Sequence, residues 1–427
     1  MLDVTRGVGL AFALKIFGAG LAFAFNVAIG RLLGTHGAGL FFLALSIATI
    51  GSVVGRAGLD NALLRFTAIH SIREEWGQVA GVYSLGMKLS FVASGSISLV
   101  GFLAAPWMAA VLFRKPELGE PLRWLSLSIL PFSLLNLQAE CLKGVRRIRD
   151  AMLIQSVGLP LIGLLLVVPF SRVAGVTGIA WAYLLATSLV AGCAVFAWRA
   201  ALAARVLSVV HFSWSDLVKS CKPLFVTALM NRAVLPWAPL LLLGIWASTD
   251  QVGIYGAASR VAMLVNFALA TVNNVLVPKL AELYAKGDMQ RLARTARRSA
   301  LFVTLLASPL FVAVIAGNQW VMGLFGPGFR EGGLVLAILA LGQLISALTG
   351  SVNHILIVTG NESVVRNVMV LAASVMVLLS LLLAPLMGGA GVAIATSIAT
   401  AGLNLAAAYV VWKKLGVVTL PFLGRSK

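Results

Sequence analysis

Four basic residues lie inside stretches of the sequence that are otherwise apolar. They are Lys15, Arg56, Arg232 and Arg260. A charged side chain in such a stretch is costly unless it faces water, an opposite charge or a ligand. Arginine presents a planar fork of N–H donors that fits phosphate, whereas lysine offers a point charge. We therefore expect these four side chains to face water, an acidic partner or an anionic ligand.

The acidic residues near these cations are few. Asp60 follows Arg56 by four residues, which places the two on one face of a helix, and Arg65 is a second possible partner. Glu140 lies near the end of an apolar stretch, and Asp250 lies between two of them. The sequence offers no carboxylate at the centre of a stretch for proton or sodium coupling. This pattern disfavours a cationic cargo and leaves the driving force open.

Enzyme chemistry finds little support in the sequence. There is no GxxxxGK[ST] phosphate-binding loop, and no spacing of His, Cys, Asp and Glu predicts a metal site or a nucleophile with its base. The three cysteines, Cys141, Cys193 and Cys221, are far apart and form no CxxC pair. We expect no catalytic residue, no metal and no cofactor.

The composition places these residues in a membrane. Of the 427 residues, 60% are hydrophobic and only 11% are charged, whereas a soluble domain carries about 25% charged residues. The net charge of +19 could suggest nucleic acid as a partner. The basic residues fall in short connections between apolar stretches, where membrane topology requires them. We therefore expect a polytopic membrane protein that binds no nucleic acid.

Twelve stretches are long enough to cross a bilayer, which takes about 20 apolar residues in a helix. They lie near residues 8–30, 38–58, 80–104, 121–142, 151–170, 175–198, 221–246, 252–276, 298–317, 332–357, 364–385 and 389–412. The connections are short and leave no room for a sizeable soluble domain.

The distribution of lysine and arginine predicts the orientation. With a cytoplasmic N-terminus, 23 of the 33 basic residues lie on the cytoplasmic side, six lie opposite, and the four cations named above lie within or near the spans. Because basic residues concentrate in cytoplasmic connections, both termini are predicted to be cytoplasmic.

The second half of the sequence repeats the first. Leu33–Phe41 aligns with Ala247–Tyr255, and Ala174–Ala182 aligns with Met387–Ala395, at offsets of 212–214 residues that hold over nearly the whole chain. Six spans per half make the repeats parallel, related by an axis along the membrane normal. The predicted fold is an all-α integral membrane protein with about 12 transmembrane helices in two parallel six-helix repeats that enclose a central cavity.

The predicted halves are residues 1–198 and 221–427, joined by a cytoplasmic linker, 199–220, that could form an amphipathic helix. The four cations belong to the first, second, seventh and eighth spans, which are equivalent pairs in the two halves. We therefore expect them to converge on the axis between the repeats.

Two short motifs resemble those of a known family. The first helix ends in Arg31-x-Leu-Gly34-x-x-x-x-Gly39, and the second closes on Gly58-Leu-x-x-Ala-Leu-x-Arg65, with Asp60 inside this second segment. These segments, with Gly253-Ile-Tyr-x-x-x-Ser-Arg260 later on, are similar to polysaccharide-transport proteins. This is the Wzx-type lipid-linked oligosaccharide flippase group, within the superfamily that also holds the MATE drug exporters and the lipid II flippases.

The resemblance implies a cargo of polyprenyl-pyrophosphate-linked sugar, moved from the cytoplasmic to the outer leaflet of a bacterial inner membrane. It implies membrane lipid and the lipid-linked glycan as partners, with a polysaccharide polymerase or glycosyltransferases as further candidates. It makes Arg260 the first candidate of the four cations, and it marks Arg31, Gly34, Gly39, Asp60 and Arg65 as gate or motif residues. The alternatives are a multidrug exporter of the same fold and a membrane polysaccharide polymerase or glycosyltransferase.

Overall fold

The structure, a computed structural model, describes residues 2–203, 210 and 212–419, and nearly all of this part is helical. The predicted linker 199–220 lies partly outside the described residues, as does the C-terminal tail. The described ends of the linker belong to two long helices. The prediction of an all-helical membrane fold is confirmed.

Fifteen α-helices make up most of the described part of the chain. They are α1 Leu2–Arg56, α2 Leu59–Ile72, α3 Trp76–Trp107, α4 Gly119–Leu127, α5 Ile129–Gly144, α6 Ile148–Met152, α7 Leu159–Leu202, α8 Trp214–Leu229, α9 Leu235–Trp246, α10 Thr249–Ala285, α11 Met289–Ala316, α12 Asn318–Gly323, α13 Gly333–Thr349, α14 Val352–Val358 and α15 Glu362–Leu415. Short 3₁₀ turns precede α4 and α13, and π-helical turns lie at Met108–Leu112, Leu153–Gly158 and Met230–Val234.

Within the described residues, eight helical stretches are long and apolar enough to cross a membrane. Three of them contain a glycine with non-helical torsion angles, Gly34 in α1, Gly175 in α7 and Gly388 in α15. Each of these kinks separates two of the predicted spans, so a single long stretch corresponds to two predicted crossings. The count of twelve crossings stays a prediction.

The chain divides into two compact units, Met1–Trp237 and Ala238–Lys427. The first unit therefore includes α8 and the π-helical turn that follows it. Residues 214–220 of α8 belong to the predicted linker, and residues 221–229 and the turn belong to the predicted second half. Compact units reflect contacts, whereas repeats reflect sequence similarity, so the predicted repeat boundary near residue 221 stays a prediction.

The two units share a kink at corresponding positions. Gly175 has φ 54° and ψ −123°, and Gly388, 213 residues later, has φ 55° and ψ −130°. A second glycine follows each kink by three residues. A Cβ added at Gly178 would lie 1.9 Å from the Phe170 carbonyl oxygen, and a Cβ added at Gly391 would lie 2.4 Å from the Leu383 carbonyl oxygen. The same backbone conformation and the same close approach recur, as a structural repeat requires.

We predict that Gly175→Ala lowers the free energy of unfolding by about 1–3 kcal/mol, because an L-residue is strained at this φ and ψ. No atom lies within 4 Å of the added Cβ, so the cost is purely a backbone cost. Gly192→Ala in the same helix is the matched control, since its Cβ also meets open space at helical torsion angles. The control should be neutral or stabilising by up to ~1 kcal/mol. Unfolding of the purified variants in detergent measures both, and equal effects would contradict the prediction.

Candidate functional site

A buried carboxylate joins two arginines in the first unit. The Asp60 Oδ1 atom accepts from Arg56 Nη1 at 2.8 Å and lies 3.0 Å from Arg232 Nη1. The Asp60 and Arg56 side chains are 3% and 4% exposed, whereas Arg232 is 37% exposed. We call these three residues the Asp60 cluster. Two arginines on one carboxylate leave a net positive charge, which is shielded from water at Arg56 and accessible at Arg232. This charge favours an anion as the next partner.

The turn between α1 and α2 builds the inner half of the Asp60 cluster. Helix α1 ends at Arg56, whose Nε also donates to the Ser52 carbonyl at 3.3 Å. Gly58 follows with φ 82°, and α2 then starts with Asp60 in its first turn. A Cβ at Gly58 would lie 2.9 Å from the Cys221 carbonyl oxygen of α8. Glycine at this position therefore supplies both the left-handed turn and the close approach of α8.

Arg232 reaches Asp60 from a π-helical turn. This turn, Met230–Val234, links α8 to α9. Pro236 lacks an N–H group and cannot donate to the Arg232 carbonyl four residues earlier, which weakens the α-helical pattern there. Single π-helical turns within α-helices occur frequently at functional sites. This one presents Arg232 to a carboxylate on a different helix.

A second polar group surrounds Glu140 on α5, and we call it the Glu140 network. Glu140 Oε1 accepts from Lys143 Nζ at 2.9 Å, and the same Nζ donates to Gln155 Oε1 at 2.7 Å. Gln155 Nε2 in turn donates to Asn136 Oδ1 at 3.3 Å. The Glu140 side chain is 7% exposed, so its charge depends on these partners.

Electrostatic contacts link the two groups. Arg56 interacts with Glu140 as well as with Asp60 and Arg232, and Lys15, half-buried on α1, interacts with Lys143. The linked groups contain four cationic and two acidic side chains. The resulting excess of two positive charges makes this region of the first unit suited to an anion such as a diphosphate.

The structure brings together part of the predicted cationic site. Arg56 and Arg232 meet on Asp60, and Lys15 lies in the same unit. Arg260 belongs to the second unit, where it lies on α10 and donates from Nη1 to the Gly256 carbonyl at 2.7 Å. Convergence of all four cations therefore stays a prediction.

The other motif residues have distinct positions. Arg31 is exposed on α1, Gly34 forms the kink of that helix with φ 66°, and Gly39 is buried beyond it. Arg65 is exposed on α2, where its guanidinium carbon lies 5.9 Å from the centroid of the Phe66 ring, so it is not the partner that Asp60 takes in this cluster. Of the two partners considered for Asp60, the structure selects Arg56.

Sequence reasoning overlooks the Glu140 network. It counts Lys143 as a topology residue, places Glu140 at a helix end, and does not single out Gln155. The available signal was the Glu140–Lys143 spacing of three residues, which puts an acid and a base on one helix face. Nothing local in the sequence marks Gln155, because a π-helical turn on another segment directs it towards α5.

We predict that Asp60→Ala lowers the free energy of unfolding by about 3–5 kcal/mol, because it leaves the buried Arg56 charge without its carboxylate partner. Asp150→Ala is the matched control. Asp150 pairs with Arg147 at 3.4 Å, with side chains 28% and 51% exposed, and its loss should cost about 0–1 kcal/mol. Unfolding in detergent measures both variants. A cost for Asp60→Ala no larger than that of the control would show that the cluster is not a stabilising core.

Known proteins share both the sequence pattern and the fold. The family model described as "Polysaccharide biosynthesis protein" matches residues 28–327. The probable low-salt glycan biosynthesis flippase Agl15 of Haloferax volcanii is 24% identical over 416 residues, covering 94% of this chain and 82% of that protein.

Two solved structures show the fold. An inward-facing multidrug resistance MATE family transporter of the MOP superfamily is 15% identical with a TM-score of 0.78, covering 95% of this chain and 98% of the other. The lipid II flippase MurJ, in an inward closed conformation, is 15% identical with a TM-score of 0.75, covering 94% and 87%. The resemblance drawn from the short motifs is confirmed.

Proposed function

The chain belongs to the polysaccharide biosynthesis protein family, and from this we propose that it is a flippase for a polyprenyl-pyrophosphate-linked oligosaccharide. It would move this lipid from the inner to the outer leaflet of a bacterial cytoplasmic membrane by alternating access. The glycan would then serve a cell-surface polysaccharide such as O-antigen or exopolysaccharide. The relatives reported above are flippases and transporters rather than catalysts, which supports transport as the activity.

The observation that carries this proposal is the sharing of Asp60 by two arginines. Arg56 is buried and fixed, whereas Arg232 is partly exposed and able to exchange one oxyanion for another. A phosphate oxygen offers a guanidinium the same charge-assisted hydrogen bonds as a carboxylate. In our proposal Asp60 holds Arg232 in place until the pyrophosphate of the cargo arrives. Arg260, which lies in the second unit, is a separate candidate cation for the same cargo.

The charge of the site also bears on the drug-exporter alternative. A cargo of cationic drugs would favour an excess of carboxylates, whereas the linked groups around Asp60 and Glu140 carry an excess of cations. The structural likeness to a MATE transporter concerns the fold, which hosts several cargo classes. The site therefore favours an anionic cargo.

We predict that Arg232→Ala and Arg260→Ala each reduce transport at least tenfold, since losing one charge-assisted contact to phosphate removes about 1.5–3 kcal/mol. Arg260→Lys should recover part of the activity, because lysine keeps the charge but loses the paired donors. The measurement is leaflet accessibility of a polyprenyl-pyrophosphate oligosaccharide in liposomes that contain the purified protein.

Arg294→Ala is the control for loss of a positive charge and should retain transport. Arg294 is exposed and lies in the basic N-terminal part of α11, outside the Asp60 cluster. Normal transport by correctly inserted Arg232→Ala and Arg260→Ala proteins would remove the cationic site. Efflux of a cationic dye without movement of any lipid-linked glycan would instead assign the chain to the drug exporters.

We also predict the orientation of the chain in the membrane. A cysteine at Gln290 should react with an impermeant maleimide only from the cytoplasmic side, and a cysteine at Glu117 only from the opposite side, because basic connectors stay cytoplasmic. Both positions are exposed, and Cys193, an exposed native thiol, is first replaced by serine. Labelling of intact cells and of inverted vesicles measures the two sides. Reversed labelling would overturn the predicted topology.

A further inference from the structure

A surface cavity of ≈ 530 Å³ lies in the first unit, between the α2–α3 turn and the α5–α6 turn. It is lined by Ser71, Ile72, Glu74, Trp76, Val145 and Arg146. Both turns belong to connections that the topology places on the cytoplasmic side. The lining offers one carboxylate, one guanidinium, one hydroxyl and one indole, beside the aliphatic side chains of Ile72 and Val145. The cationic site described above uses none of these residues.

Two residues of this cavity have a backbone conformation that side chains disfavour. Glu74 has φ 58° and Arg146 has φ 63°. Each follows the end of a helix, at the position where a left-handed residue closes the last turn and glycine is preferred. The hydrogen bonds of that closure are present, from Glu75 N to the His70 carbonyl at 3.0 Å and from Arg147 N to the Leu142 carbonyl at 2.8 Å.

The second unit has the same two helix ends with glycine in place of the side chains. Gly287 stands 213 residues after Glu74 with φ 72°, and Gly360 stands 214 residues after Arg146 with φ 76°. The closing hydrogen bonds recur too, from Asp288 N to the Leu283 carbonyl at 3.1 Å and from Asn361 N to the Leu356 carbonyl at 2.8 Å. At these two helix ends the first unit has Glu74 and Arg146, whereas the second unit has glycine. Both of these first-unit residues line one cavity.

Left-handed backbone at residues other than glycine clusters at functional sites. Ala57 (φ 46°) and Arg114 (φ 52°) adopt it outside the cavity, so the proposal rests on where Glu74 and Arg146 lie and on what their side chains offer. Within the described part of the chain, neither the Glu74 carboxylate nor the Arg146 guanidinium takes part in an ion pair, so neither is retained for a structural salt bridge. Their side chains are exposed at the cavity. Both charged groups are therefore available to a ligand in this cavity.

The chemistry of the lining identifies the class of ligand. The charges of Glu74 and Arg146 balance, so the cavity favours neither an anion nor a cation. Arg146 donates, Glu74 accepts and the Ser71 hydroxyl does both, while the indole of Trp76 adds an aromatic group to the lining. A neutral sugar matches this set, because its hydroxyls donate and accept and its C–H face packs on an aromatic ring.

We propose that this cavity is a docking site for the glycan of the lipid-linked cargo on the cytoplasmic side, which rests on the flippase function proposed above. Helix α2 connects it to the Asp60 cluster. Asp60 and Ser71 are eleven residues apart on that helix, which is about three turns and about 17 Å. One helix therefore carries residues of both sites. In this proposal the cavity binds the glycan of the cargo, and the Asp60 cluster binds its diphosphate about 17 Å away.

The test is protection of a cysteine in the cavity. Ile72→Cys, at an exposed lining residue that contributes no polar group, is alkylated with N-ethylmaleimide in a Cys193→Ser background. The full-length protein is used in nanodiscs, and the remaining cysteines, Cys141 and Cys221, are buried. One probe is the lipid-linked oligosaccharide extracted from membranes of the organism that makes this protein. The other is a polyprenyl pyrophosphate without sugar. We expect the glycan-bearing lipid to slow alkylation at least fivefold and the bare lipid to leave it unchanged. A cysteine at the exposed Gln290 should react equally under all conditions.

Glycine variants separate ligand binding from structure. Glu74→Gly and Arg146→Gly relieve the backbone strain, so the melting temperature should stay equal to that of the parent or rise, while protection of the Ile72→Cys thiol falls at least fivefold. Arg147→Gly is the matched control, since it removes the neighbouring charge at a residue with φ −85° outside the cavity lining. Undiminished protection in both glycine variants would overturn the proposal.

Two other outcomes are distinct. Equal protection by both lipids, or no protection by a lipid that the wild-type protein transports in liposomes, would overturn the glycan site and leave the flippase function standing. The flippase function itself has a separate test with the same lipid-linked oligosaccharide. If the wild-type protein does not transport this lipid, and the lipid does not raise its melting temperature more than that of the Arg232→Ala variant, the flippase function is overturned and the glycan site with it.

Discussion

The arrangement of the first unit depends on one buried ion pair. Asp60 lies at the start of α2, directly after the left-handed turn that ends α1, and it is nearly inaccessible to water. A carboxylate in this setting must be compensated, and Arg56 and Arg232 both provide that compensation. Because the partners lie on α1 and on the π-helical turn after α8, the requirement fixes three segments of the chain relative to one another. The close approach of α8 at Gly58 is possible only because no side chain stands there.

Much of the fold follows from the sequence. The apolar stretches coincide with helices, and the glycines that separate neighbouring stretches, Gly34, Gly175 and Gly388, are kinks inside continuous helices rather than open loops. The sequence pattern cannot distinguish a kink from a loop, because both need a glycine between two apolar runs. The repeat was visible from short matches at one offset, and the equal torsion angles of Gly175 and Gly388 give it a structural counterpart.

The candidate site was predictable in part. A spacing of four residues was enough to pair Arg56 with Asp60, because this interaction is local to one turn. The approach of Arg232 was not predictable, since it depends on tertiary packing and on a π-helical turn that shifts the helical register. The Glu140 network was hidden for the same reason, as Gln155 also lies in a π-helical turn. The strain at Glu74 and Arg146 was equally invisible, because glycine is the residue that normally signals a left-handed position.

The π-helical turn at Met230–Val234 has an evolutionary consequence. Such a turn is equivalent to one residue inserted into an α-helix, which turns the following residues by about 100° and displaces them by only about 1.5 Å along the axis. One codon gained or lost there would exchange the side chain that faces Asp60, replacing Arg232 with Asn231 or Ala233, while the helices on either side keep their packing. The charge that faces Asp60 can thus change through a single insertion or deletion, without any substitution of the arginine itself.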